Sequence, residues 1–407
     1  MTDEAHASNP ASSIDSDSDS DSESSFVEEV GSDGLTRRQR LAKEEEEKVD
    51  LIVKDDQLDE LAKIDAIADV RHNFKADTTA IDAYLAGHAS VEATVAKLAD
   101  PIDEAYSTAN HGRQLHAAER SARNQRKYHD PEKALQMWGP EEDFPEPSEE
   151  IRNLPSTEGQ LWELWYGVLH AAKRIPWTDT AREGKLLDLV KALKARPDPP
   201  QPPRVTVALR RDWIWETGKV WSDLLMLGPS ACEAWNDCCG VAAGWTVPEQ
   251  HAWTNVNAFI ARVTANGLAD FRSYGVRAAC QALEYGENED HNLHHNAPYP
   301  LKLELYVTVA AVWMLLAGEC MYKECKDNGD SDGGHHVKAV DVSSRGEQLP
   351  WFRQGDPIAL VQWNFWRRRF DQEAHNDQLP WDVRELAIKS ADRMLALEQP
   401  SAREEEP

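Results

Sequence analysis

The sequence predicts an all-α protein: an irregular multi-helix bundle, or a short α-superhelix of antiparallel helix pairs, behind a disordered acidic N-terminal tail. Three observations support this class. Apolar residues recur at helical spacing through most of residues 51–400, Gly and Pro interrupt these stretches, and sustained alternation of the β type is absent apart from a strand-like stretch at 205–209. No repeat of roughly 33 to 47 residues indicates a named solenoid.

Residues 1–50 are expected to form the disordered Ser/Asp/Glu-rich tail. The first 60 residues hold 19 acidic side chains against 6 basic ones, and a segment of this composition has too little apolar surface to fold. Ser16, Ser18 and Ser20 each have an acidic residue three positions on, a pattern that favours phosphorylation; an unmodified, solubilising tail is the alternative. The basic stretch 37–43 fits a nuclear import signal, but the glutamates that follow it favour a charged helix.

The helical domain begins at about residue 51, where apolar spacing predicts a helix over 51–67. A helix pair is expected at 81–85 and 91–98, with Ser90 as the cap of its second member. Pro101 predicts a break after that pair.

Two Pro-rich stretches divide the domain. Residues 139–155 indicate an exposed connector and a candidate internal boundary, and residues 197–203 indicate a stiff, extended spacer. Helices are expected between them at 161–172 and 186–193. A second disordered tail is expected at 401–407.

The later helices have clear local signals. Thr246 and Glu249 fit a capping box, and Asn266-Gly267 fits the end of the same helix. The apolar stretch 305–318 is shorter than the roughly 20 residues that span a membrane, so we interpret it as a central core helix. Other helices are expected over 270–285, 356–370 and 381–397.

Charge and motifs exclude several functional classes. The net charge is −28 and no basic stripe compensates it, so we expect no direct nucleic-acid binding and no membrane binding. Phosphate-binding loops, dinucleotide fingerprints, nucleophile elbows and zinc-protease helices are absent, so no catalytic residue is assigned. We expect no cofactor and no metal site, because the histidines at 291, 294, 295, 335 and 336 fit solvated loops better than ligands.

The six cysteines are best interpreted as reduced thiols of an intracellular protein, cytoplasmic rather than nuclear. Oligomeric state is not predicted by any pattern.

The fifteen tryptophans form the remaining group of residues that could mark a functional site. Aromatic rings at helical spacing usually form core, but they also line pockets and partner grooves. Polar residues beside them fit helix-to-helix hydrogen bonds better than catalysis. The candidate pocket or packing residues are Trp221, Asp223, Trp253, Asn257, Arg262 and Trp313.

Two of these stretches carry a family resemblance. Trp221-Ser-Asp-Leu gives a Trp-x-Asp-Leu pattern, and residues 253–264 give Trp-x-Asn-x-Asn-Ala-Phe-x-Ala-Arg-x-Thr, followed by an apolar helix around 310–313. Over about residues 70–397 the chain resembles a fungal family of helical proteins known as a domain of unknown function. The resemblance implies a helical fold and a fungal source. It carries no known activity, so it assigns no functional residue.

The leading hypothesis is a non-enzymatic helical protein-interaction module with protein partners. The alternative is a small-molecule-binding protein or enzyme with a Trp-lined pocket among its helices. A third interpretation, a nuclear protein whose acidic tail binds basic partners such as histones, depends on the tail alone.

Overall fold

The computed structural model describes residues 34–71, 75–108, 126, 129–138, 157–200, 219–236, 246–284, 301–327, 339–342, 348–350 and 360–399. The chain divides into two units, residues 1–47 and 48–407. Ser16, Ser18 and Ser20, the connector 139–155, the strand-like stretch 205–209, the histidines noted above and the tail 401–407 all lie outside the described residues.

The all-α class is confirmed. The described residues contain thirteen α-helices: α1 Arg37–Lys54, α2 Glu60–Val70, α3 Thr79–Leu85, α4 Val91–Thr108, α5 Pro131–Trp138, α6 Thr157–Arg174, α7 Thr180–Lys194, α8 Leu227–Asn236, α9 Val247–Ala265, α10 Arg272–Ala279, α11 Leu301–Asp327, α12 Leu360–Ala374 and α13 Trp381–Glu398. A π-helical turn, Cys280–Glu284, continues α10.

The first helix begins earlier than the domain boundary at residue 51 predicts. α1 starts at Arg37, so residues 37–50 of the expected tail are helical, and the charged helix favoured over an import signal is confirmed. Oppositely charged side chains four residues apart, such as Lys54 and Asp50 at 3.2 Å, support such a helix.

The predicted break at Pro101 is wrong, because α4 passes through it. Proline removes one backbone hydrogen bond, but Ala99, Ile102 and Tyr106 on either side are all buried. Burial of this stripe outweighs the local loss. The predicted cap at Ser90 is confirmed, since its Oγ accepts a hydrogen bond from the Ala93 N–H at 3.2 Å.

Within the described residues, one pair of short antiparallel strands departs from the helical pattern, and sequence patterns did not predict it. Strands β1 Ala339–Val342 and β2 Gln348–Pro350 pair antiparallel, with Val342 opposite Gln348 and an irregularity between Ala339 and Asp341. Strands of four and three residues are too short to show alternation.

The core is centred on α11, which packs against α9, α10 and α13. Its segment from Val307 to Met314 is fully buried except at Thr308, which confirms the predicted core helix. The stretch Leu303–Asp327 is long and apolar enough to cross a membrane, but 67% of its most apolar 18-residue segment is buried inside the protein. Such burial is typical of the core helix of a soluble protein.

Other helices also contribute to the core around α9 and α11. α6 lies against α9, and α12 and α13 lie against one another. The predicted capping box of α9 is present, with the Thr246 N–H donating to the Glu249 carboxylate at 3.0 Å. The last helix begins at Trp381, after Pro380, as predicted.

Candidate functional site

Three of the predicted residues meet in one buried group, which we call the Asn257 cluster: Asn257, Trp253, Trp313 and Trp235. Asn257 Oδ1 accepts hydrogen bonds from Nε1 of Trp235 at 3.1 Å and from Nε1 of Trp313 at 3.0 Å. Asn257 Nδ2 donates to the Trp253 carbonyl at 2.9 Å. Nε1 of Trp253 donates to the Trp235 carbonyl at 3.1 Å.

All four side chains of the Asn257 cluster are at most 2% exposed. The indole N–H groups are therefore used inside the protein, as buried donors require. The rings of Trp235 and Trp253 lie 5.8 Å apart, centre to centre, and tilted. The Asn257 cluster therefore connects α8, α9 and α11. Because its three indole N–H groups already donate to protein acceptors, they are not available to a ligand.

Trp221 lies in a different network. Its Nε1 donates to Asp103 at 2.7 Å, and its backbone N–H donates to Asp198 at 2.6 Å. Asp103 also accepts from Nε of Arg196 at 2.7 Å. Trp221 thereby connects the turn before α8 to α4 and to the segment that follows α7, whereas Asp223 on the same turn is exposed.

Arg262 lies near a buried carboxyl group that sequence patterns did not indicate. Glu183, in the first turn of α7, has no exposed surface, and neither of its carboxylate oxygens has a hydrogen-bond partner. Nη2 of Arg262 donates to the Trp177 carbonyl at 2.9 Å, while its Nη1 is buried and unpartnered. Burial raises the pKa of Glu183 to about 8, and Arg262 offsets part of that increase.

A second buried carboxyl group closes the π-helical turn. Glu284 accepts hydrogen bonds from Nε2 of Gln362 at 2.9 Å and from Nε1 of Trp366 at 2.6 Å. Burial raises the pKa of Glu284 and that of the Cys280 thiol beside it. Because Glu284 has partners on α12, its role is to join α12 to the π-helical turn. No sequence pattern marked it, since the π-turn alters the helical spacing that would place it.

Among the described residues, no group of three or more His, Cys, Asp or Glu side chains is arranged to hold a metal ion.

Among the described residues, three exposed apolar side chains lie on the solvent side of α13. Trp381, Ile388 and Leu395 are 64%, 38% and 43% exposed. They are seven residues apart, so they form one line along the helix. We call these three residues the outer row. The opposite side of α13 buries Val383, Ala387, Ser390 and Met394 against the core.

Charged residues flank the outer row. The Arg384 guanidinium carbon lies 5.6 Å from the centre of the Trp381 ring, and Nη1 of Arg384 contacts Asp377 at 2.9 Å. On the other side of the row, Glu385 pairs with Lys389 at 2.9 Å, and Asp392 is exposed. An apolar centre with a charged rim is the arrangement found in protein interfaces.

Comparison with known proteins gives a match to a family model that covers most of the core helices. Searches of curated proteins and of solved structures find no match. The family described as "Protein of unknown function (DUF3632)" matches residues 165–370, a segment that contains the Asn257 cluster, Glu183 and Glu284 and ends before α13. This confirms the resemblance to a domain of unknown function, while the fungal source stays a prediction. The chain belongs to the DUF3632 family.

Proposed function

We propose that the protein is a non-enzymatic helical interaction module, and that the outer row of α13 receives one helix of a protein partner. One observation carries the proposal: Trp381, Ile388 and Leu395 are exposed along a single line of a helix whose other side is fully packed.

The composition of the outer row supports binding rather than incidental exposure. Single exposed apolar residues are common, but an aligned set with a tryptophan at one end and charges beside it is typical of an interaction surface. Transfer of the Trp381 ring from water into an interface would remove more apolar surface than any other residue of the row.

The spacing of the outer row supports a helical partner. Seven residues correspond to about 10.5 Å along a helix, so the three side chains extend over four helical turns. A second helix lying along α13 can place one apolar residue beside each of them, as in helix-to-groove recognition and in coiled coils.

The alternative function, a small-molecule-binding protein or enzyme with a Trp-lined pocket, receives less support. The indoles of Trp235, Trp253 and Trp313 donate to protein acceptors, which favours packing over ligand contact. The interpretation of a nuclear, histone-binding tail depends on residues outside the described part of the chain.

We place this interaction inside the cell, in the cytoplasm rather than the nucleus. Within the described residues Cys232, Cys280, Cys320 and Cys325 are not joined in disulfides, which supports a reducing compartment.

Site-specific photo-crosslinking of the full chain in living cells tests the proposal. A photoreactive amino acid is placed in turn at Trp381, Ile388 and Leu395. Matched controls carry it one position later, at Asp382, Lys389 and Ala396, which are exposed but lie off the row. We expect adducts of one common mass at the row positions and weak or no adducts at the controls. Equal labelling of both sets, or none at the row, would contradict the proposal.

A further inference from the structure

We infer that α2 is a removable cover on α6 and α9, and that acidification releases it through protonation of His170. The inference does not depend on the outer row of α13. It concerns α2, a helix of 11 residues, and the surfaces of α6 and α9 that α2 contacts. His170 lies inside the segment 165–370 that matches the family, whereas α2 lies outside it.

The attachment of α2 includes little apolar surface. Its buried residues are Ile64, Ile67 and Ala68, and none of them belongs to the continuous hydrophobic core that α3, α4 and α6–α13 share among the described residues. An isolated helix of fewer than about 12–15 residues is marginally stable in water. α2 therefore depends on its contacts with α6 and α9, and its release does not require the shared core to open.

Charged pairs make up much of this attachment. Arg71, the residue after α2, donates from Nε to the Glu249 carboxylate of α9 at 2.9 Å, and both side chains are almost fully buried. Glu60 of α2 pairs with His251 of α9 at the surface. Because ion pairs and hydrogen bonds to charged groups depend on protonation, a helix held in this way responds to pH.

His170 is the buried titratable group on the α6 side of this contact. Only 3% of its surface is exposed, and its Nε2 lies 2.7 Å from Oδ1 of Asp65 on α2. An ionised carboxylate can only accept a hydrogen bond, so Nε2 carries the proton. Nδ1 of the same ring is buried and has no partner. A second proton, at Nδ1, would therefore be a buried charged donor without an acceptor, which is costly.

Charged neighbours of His170 act in both directions. Burial has the largest effect and lowers the pKa of His170 below its ordinary value of 6.5; Asp65 opposes this shift, whereas Lys173 and Arg174 of α6 add to it. Arg174 also contacts Asp65 at 3.4 Å and Asp82 of α3 at 3.1 Å. The covered ring is therefore neutral at pH values where an exposed histidine is charged.

The direction of the pH dependence follows from this difference. When α2 leaves, His170 binds a proton at about pH 6.5, so attachment is strongest above that pH. Below it the equilibrium shifts toward released α2 by up to about tenfold for each pH unit. Burial raises the pKa of Asp65, but the hydrogen bond from His170 and the charge of Arg174 hold it below 3.8 overall. The contribution of Asp65 is therefore kept until the pH falls below that value, and release at milder acidity belongs to His170.

Hydrogen exchange of the full chain, resolved by peptide and measured between about pH 7.5 and pH 5, tests the inference. After correction for the intrinsic pH dependence of exchange, we expect the protection of residues 60–70 to fall by about tenfold or more toward acid pH. Residues 307–314, in the buried middle of α11, should keep their protection.

Two glutamine variants assign the effect. His170→Gln removes the titration but keeps a side-chain N–H donor for Asp65, so the protection of α2 should no longer depend on pH in this range. His251→Gln is the matched control. His251 also contacts a carboxylate of α2, but its side chain is 53% exposed, and its replacement should leave the pH response unchanged.

A third variant keeps the test decisive if His170→Gln does not fold, which thermal unfolding by circular dichroism at neutral pH reveals. Asp65→Asn keeps an acceptor for Nε2 but removes the carboxylate charge. It should lower the protection of residues 60–70 at every pH while the loss toward acid pH remains.

Three results would overturn the inference. Constant protection of residues 60–70 in the wild type shows that acid does not release α2. Equal loss in α2 and α11 shows that the whole domain opens. A wild-type pH response in His170→Gln, or in Asp65→Asn an acid loss that disappears, assigns the response to another group.

Discussion

The side-chain oxygen of Asn257 and the indole nitrogen of Trp313 lie 3.0 Å apart across the α9–α11 interface, although the residues are 56 positions apart in sequence. The same oxygen accepts from Trp235. One amide therefore satisfies two buried donors on two other helices, and a fold built this way depends heavily on a single polar residue.

Replacing Asn257 with leucine, which has a similar size, should lower the free energy of unfolding by about 2–5 kcal/mol, because it leaves two buried indole N–H groups without an acceptor. Urea unfolding followed by circular dichroism measures this. Asn266→Leu is the control: Asn266 also donates to a carbonyl four residues earlier on α9, but at an exposed site, and it should cost much less. If Asn257→Leu lowers the free energy of unfolding no more than Asn266→Leu does, Asn257 is not needed as the acceptor for the two buried indoles.

Glu183 should make the folded state sensitive to pH. Its folded pKa of about 8 is above its ordinary value of 4.5, so the folded chain keeps a proton that the unfolded chain releases. The stability associated with Glu183 is therefore greatest at low pH and is lost as the pH rises from 4.5 through about 8.

Glu183→Gln removes this titration, so the difference in melting temperature between variant and wild type should grow in favour of the variant across that pH range. Thermal unfolding measured at steps of pH tests it. Glu163→Gln, at an exposed glutamate of α6, should show a constant difference. If the melting-temperature difference between Glu183→Gln and wild type is also independent of pH, the Glu183 carboxyl does not have a raised pKa in the folded chain.

Pro101→Ala should stabilise the protein. Alanine restores a backbone donor in the middle of α4 and removes the clash of the proline ring with the preceding turn, which we expect to increase the free energy of unfolding by about 1–3 kcal/mol. Chemical denaturation measures the change. Pro131→Ala is the control, because Pro131 is the first residue of α5, where proline is tolerated. If Pro101→Ala and Pro131→Ala change the free energy of unfolding equally, proline in the interior of α4 does not destabilise the protein.

Two helical glycines should respond in opposite ways to alanine. A methyl group at Gly275 would lie 2.8 Å from a Trp313 ring carbon, so Gly275→Ala should cost about 1–3 kcal/mol. At Gly184 no atom lies within 4 Å of the added methyl group, and Gly184→Ala should gain about 0.5–1 kcal/mol. Melting temperatures of the two variants measure the contrast. A neutral Gly275→Ala would indicate that Trp313 can move away from its place in the Asn257 cluster.

Strong local signals predicted much of the fold. The apolar stretch that became the middle of α11, the capping box at Thr246 and the start of α13 all depend on neighbouring residues, and such signals are readable from one sequence. The predicted helix break at Pro101 was wrong because it depended on a local preference alone. The preference of proline against helix interiors is local, but the burial that overrides it comes from distant helices.

The candidate surface was harder to predict. Both sides of α13 carry apolar residues at helical spacing, so periodicity alone does not say which side faces water. Glu183 and Glu284 present the same difficulty, because a glutamate on a helix is normally exposed and only tertiary packing buries it. Trp253, Asn257 and Trp313 were found because rings at helical spacing with one polar neighbour indicate a buried hydrogen-bond group.

The placement of α13 also has a consequence for biosynthesis. Residues up to Ala374 leave the ribosome before α13 does, yet Ala387 and Met394 of α13 cover α11 and α12, the helices it packs against. At about 5–20 residues per second, the nascent chain spends a second or more with that part of its interior facing water. The packing of α13 onto α11 and α12 therefore waits until α13 has been synthesised, and during this interval the surface that it will cover is open to chaperones and to aggregation.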